Sequence, residues 1–147
     1  MEDHVSVIEQ GDWLIPHGCE EPHRVREISY QEEPAGKWTV ITFDGEGFWG
    51  VWYYPGSCKP VPMTKEILEK NGFVLSSNLK RYEYTDYKDD GCDKCTVHLD
   101  QKGNPFLIQV EKIAEWSKVE KVNIRSTSVH ILQHSLKLCG IHKNIEL

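Results

Sequence analysis

No apolar run in the 147 residues approaches the roughly 18–20 residues that a membrane-spanning helix needs. The opening stretch MEDHVSVIEQ lacks both the basic start and the apolar run of a signal peptide. Cysteine is scarce and odd in number. Cys19, Cys58, Cys92, Cys95 and Cys139 cannot all pair among themselves, which argues against a disulfide framework and for a reducing cytoplasmic setting. Catalytic signatures are missing as well. There is no G-x-x-x-x-G-K-[ST] phosphate loop, no G-x-G-x-x-G opening a helix, no H-E-x-x-H and no G-x-S-x-G. Nothing in the residue order makes a positive case for an enzyme.

What is present suits a folded chain. The apolar fraction is 39% and the charged fraction 27%, and fifteen aromatic residues, five of them Trp, supply enough bulk to build a core. Charge is unevenly spread. Residues 1–60 carry eleven Asp/Glu against four Lys/Arg, whereas residues 61–147 carry twelve against thirteen. The N-terminal half would therefore repel a phosphate backbone, and nucleic-acid binding there works against the long-range field.

Patterning divides the chain at the same place. In residues 1–60, apolar runs at Trp13–Ile15, Val25–Tyr30, Trp38–Phe43 and Phe48–Tyr54 are separated by Gly, Pro and acidic residues, with Asp44-Gly45-Glu46-Gly47 as a hairpin signal. Short strands in so short a chain predict a small barrel, SH3-like in the leading reading or else OB-like, which would protect its edges. A connector with Pro55, Pro60 and Pro62 follows. Residues 64–71 then read as a helix, with Thr64 as cap, Met63 and Leu68 as a hydrophobic staple, and Gly72 as the stop. Alternation at Tyr82/Tyr84, Val97/Leu99, Phe106/Ile108/Val110 and Val119–Arg125 predicts three to four antiparallel strands, with a loop or helical turn near Ile113–Trp116. A second helix is expected from Ser126 to Cys139, ended by Gly140. The fold class expected is α+β: a small all-β subdomain over 1–60 and an α+β subdomain over 61–147.

The segments VPMTKEILEKNGF (61–73) and VHILQHSLKLCGIHKNIEL (129–147) carry a family resemblance. The chain resembles small proteins of Bacteroides-group genomes, prophages and mobile elements, a family without assigned activity. The likeness extends over roughly the last 85 residues. It implies this element layout and a phage or mobile-element origin, and with it a product acting against a host defence protein. It brings no catalytic residue. Lys65 stands where the family often has proline, at a helix position that tolerates either.

Several constellations bear chemistry. Cys92-x-x-Cys95 with His130-x-x-x-His134 has the ligand types of a zinc site, as do Cys92 and Cys95 with His17, Cys19, His23 or Cys58. Helical geometry opposes the first set, since Val129, Leu132, Leu136 and Cys139 share one face and the two histidines fall on the polar side. The commoner reading is a turn with two thiols and solvated histidines. Phe48-Trp49-Gly50-Val51-Trp52-Tyr53-Tyr54 is the most unusual stretch. Trp49, Trp52 and Tyr54 would form a platform for a peptide, a basic one in that acidic setting, or else fill a barrel strand. Tyr82 and Tyr84 would present rings to a partner or pack across strands. Lys118, Lys121, Arg125 and Lys137 could track phosphates. The leading expectation is a non-enzymatic protein-binding or adaptor module. A zinc-stabilised module or metal-dependent enzyme and a nucleic-acid-binding accessory are the alternatives.

Overall fold

The computed structural model describes residues 8–33, 36–45, 50–52, 57–89, 91–114 and 120–147. It is α+β, with two antiparallel five-stranded sheets and two helices among the described residues. The chain divides into two compact units, Met1–Val61 and Pro62–Leu147.

Unit 1 contains β1 (Trp13–Pro16), β2 (His23–Glu33), β3 (Gly36–Phe43), β4 (Gly50–Trp52) and β5 (Cys58–Pro60), in the order β4-β3-β2-β1-β5. β5 lies within the segment expected to be a proline-rich connector. It pairs with β1 from Pro16↔Cys58 to Leu14↔Pro60, an edge position that tolerates a proline. β2 is long enough to serve two ladders, pairing β1 near its start and β3 over the rest, with a register shift between Val25 and Glu27. Leu14, Val25, Ile41, Phe43 and Cys58 form the core, with Ile8 and Ile28 packed against it. The pairings among the described residues give an open strand order.

Unit 2 starts with α1 (Lys65–Lys70). Thr64 Oγ1 accepts a hydrogen bond from Ile67 N at 3.3 Å, capping the first turn. At the other end Gly72 takes φ +85°, and Phe73 N returns to Leu68 O at 3.0 Å, which satisfies a carbonyl the helix leaves open. Then come β6 (Val74–Leu75), β7 (Arg81–Lys88), β8 (Gly91–Leu99), β9 (Pro105–Ala114) and β10 (Glu120–Arg125), a meander in the order β10-β9-β8-β7-β6. The sheet has five strands where three to four were expected. β6 is too short for alternation to mark it, and β9 carries through Ile113, where a loop or helical turn was expected.

α2 (Val129–Cys139) begins three residues later than the sequence predicts. Thr127 O accepts from Met63 N at 2.7 Å, and Ser128 bridges to Pro62, so these residues are held extended. The helix ends on Gly140 at φ +82°, with Ile141 N bonded to Leu136 O at 2.9 Å. α2 packs on β8 and β9. Strand residues paired across a ladder share a face. Tyr82, Cys95, Val97, Ile108 and Val110 are buried on the face beneath α2 with Val129, Leu132, Leu136 and Cys139. The opposite face carries polar side chains, including Glu83, Lys94, Gln109 and Asn123.

Candidate functional site

The expected aromatic platform mostly falls outside the described residues. Trp49 and Tyr54 lie there altogether. Trp52 is placed by its backbone, pairing with Val40 at the β4 edge.

The two tyrosines of β7 belong to the fold. Tyr82 is a core residue rather than a presented ring. It is 1% exposed, and its hydroxyl donates to Glu69 Oε1 of α1 at 2.6 Å. Burial, and after it the hydrogen bond and charge of Glu69, push its pKa up to about 12. Tyr84 is half-buried on the same face. Its ring centroid lies 5.4 Å from that of Phe73, and Lys143 Nζ stands 5.1 Å above it.

Cys92 and Cys95 do not come together. They lie in a strand, not in the expected turn, and residues three apart in a strand point to opposite faces. Cys95 is fully buried beneath α2, and burial drives its thiol pKa to about 12, opposing the thiolate that zinc requires. Cys92 is half-buried on the other face, in register with Tyr87 and Ile113. His130 is buried, not solvated as the helical wheel implies, and its ring meets that of His134 edge-on at 5.8 Å.

Among the described residues, two further places have the form of a binding site. In unit 1 a recess of about 340 Å³ is lined by Gln10, Gly11, Arg24, Val25, Arg26 and Asp44. Arg26 pairs there with Asp44 at 3.4 Å.

In unit 2 a groove of about 190 Å³ runs between α2 and β10, lined by Val110, Lys112, Val122, Leu138 and Cys139. Its origin is geometric. An α-helix is about 10–12 Å across and strands lie about 4.8 Å apart, so one helix centred on β8 and β9 leaves the next strand bare. Leu138 is accordingly 62% exposed, Val122 44% and Phe106, on the same face, 40%. The groove floor is held by Cys139, whose thiol meets Glu111 O at 3.5 Å and whose pKa is raised, first by burial and then by Asp93. Lys88 closes the end of α2. It forms an ion pair with Asp93 and donates to Gly140 O at 3.4 Å, setting a cation at the negative end of the helix dipole.

Among the described residues β10 is also the edge of its sheet, with β9 as its ladder partner and no strand paired on its far side, where backbone groups can receive another strand. Its side chains alternate: Val122 and Ile124 on the face that carries α2, Lys121, Asn123 and Arg125 on the polar face. Lys121 stands 3.9 Å from Glu111, a loose contact. Lys121 and Arg125 stand out in the sequence as cations that could track phosphates, and the alternation over 121–125 carries their arrangement on one face.

No family model, curated protein or solved structure matches the chain.

Proposed function

We propose that the protein is a non-enzymatic protein-binding module whose partner lies along β10 and into the groove beside α2. The observation that carries this reading is the pairing of an open strand edge with adjoining exposed apolar side chains, Val122 and Leu138. A strand edge offers backbone hydrogen bonds, and pockets beside it give side-chain selectivity, the elements of recognition by strand addition. Binding rather than catalysis is also favoured by where the perturbed groups lie. Tyr82, Cys58, Cys95 and Cys139 all hold their protons through burial in a core, which suits structure and not a nucleophile. For unit 1, a fifth strand returning to the first and a long β2 shared between two ladders support an SH3-like small barrel.

The test is affinity capture from a lysate of the producing cells with the tagged protein and with a Val122→Ser/Leu138→Ser variant. Burying each apolar side chain at an interface is worth about 1.5–3 kcal/mol when complete. The variant should therefore retain at least tenfold less of any stoichiometric partner, while its melting temperature changes by only a few degrees. Equal retention of the same partner by both proteins would contradict the reading.

A further inference from the structure

The side chains that β10 shows on the polar face are all donors. Lys121 is an ammonium with its side chain 56% exposed. Arg125 is exposed and forms no ion pair among the described residues. Asn123 is an amide that could present either end, and its neighbours decide which. His98, Gln109 and Asn123 lie on one face of β8, β9 and β10. His98 Nε2 meets Gln109 Oε1 at 3.4 Å, and this oxygen can only accept, so the imidazole donates. Gln109 Nε2 then donates to Asn123 Oδ1 at 3.0 Å. With its oxygen engaged, Asn123 keeps an NH₂ that no acceptor among the described residues takes up.

The edge thus presents ammonium, amide N–H and guanidinium in succession on one face, and Val122 and Ile124 on the other. Resting on the proposed strand addition, we infer that the partner is an extended peptide segment alternating acidic and apolar residues. A residue directly opposite another in a ladder shares its face. Carboxylates would therefore meet Lys121 and Arg125, where opposite charges attract and the guanidinium grips two oxygens at once. The intervening apolar side chains would cover Val122, Ile124 and Leu138. A nucleic-acid strand fits less well, because the apolar strip would meet sugar and phosphate. A partner of basic residues, the sequence-based expectation for the aromatic run of unit 1, would set like charges opposite one another here.

The experiment uses the full chain and fluorescein-labelled decapeptides in fluorescence anisotropy at neutral pH and low salt. One peptide alternates Glu and Val, a second alternates Lys and Val, and a ten-residue deoxythymidine oligomer serves as third probe. The Glu/Val peptide should bind at least tenfold more tightly than the Lys/Val peptide and weaken as salt rises. Lys121→Glu with Arg125→Glu should reverse that order, and both residues are exposed enough for the variant to fold. Equal binding of the two peptides, lost in Val122→Ser/Leu138→Ser, overturns the acidic assignment and leaves strand addition standing. Binding of neither peptide overturns both. Tighter binding of the oligonucleotide, or self-association of the protein that Leu138→Ser abolishes, replaces the peptide with another occupant and also overturns the inference.

Discussion

The two units build sheets of equal strand number, yet they handle apolar surface differently. Unit 1 gathers Leu14, Val25, Ile41, Phe43 and Cys58 into a core from strands alone among the described residues, and its recess is polar, lined by Arg24, Arg26 and Asp44. Unit 2 buries one face of its sheet under α2 and runs out of helix at the last strand. A helix covers a sheet only to its own width, and the strand beyond α2 is left beside a groove. Where a chain places its helices therefore decides where it stays sticky.

The comparison can be broken hardest at the covered side. Leu132→Ala and Ile108→Ala, both fully buried, should each cost about 2–5 kcal/mol in chemical denaturation. Alkali should act next. Tyr82 and Cys95 have folded pKa values raised to about 12, from 10.0 and 9.0. A raised pKa holds the proton in the folded state, so this stability is intact below pH 9 and drains away as the unfolded chain ionises first. Between about pH 9 and 12 the unfolding free energy from urea titration should fall, by up to about 1.4 kcal/mol per pH unit for each group that is ionised only when unfolded. Cys95→Ala should flatten the part that begins near pH 9; an unchanged slope would mean that the thiol is solvated.

Smaller effects sharpen the contrast. Gly140→Ala should cost about 1 kcal/mol, because φ +82° disfavours a side chain while the nearest atom to the added methyl would lie 3.6 Å away. Its cost is conformational and not a clash. Least of all, Val122→Ser and Leu138→Ser should shift stability by no more than about 0.5 kcal/mol each, since both side chains are already exposed. A large loss at either position would make the groove part of the core.

Much of this layout is legible in the sequence wherever a local rule acts. Thr64 and Gly72 announce α1, and Gly140 announces the end of α2, because caps depend on single residues. Alternation finds β7, β8, β9 and β10. What escapes depends on distant partners. Ser126 and Thr127 look helical until the backbone of Met63 claims the Thr127 carbonyl. β5 looks like a connector until β1 pairs with it, and His130 looks solvated until the fold closes around it. The proposed binding surface is harder still. Each residue of β10 can be read in sequence, but that α2 stops short of it is a property of three dimensions.

The most direct test follows amide hydrogen exchange in segment 120–125, with and without the Glu/Val peptide, by mass spectrometry. Exchange should be fast at the far-side amides of β10 in the free protein, slowed on binding along 120–125 and around Leu138, with β8 slow throughout. Exchange in 120–125 unchanged by saturating peptide would contradict the claim that partners are received along this edge.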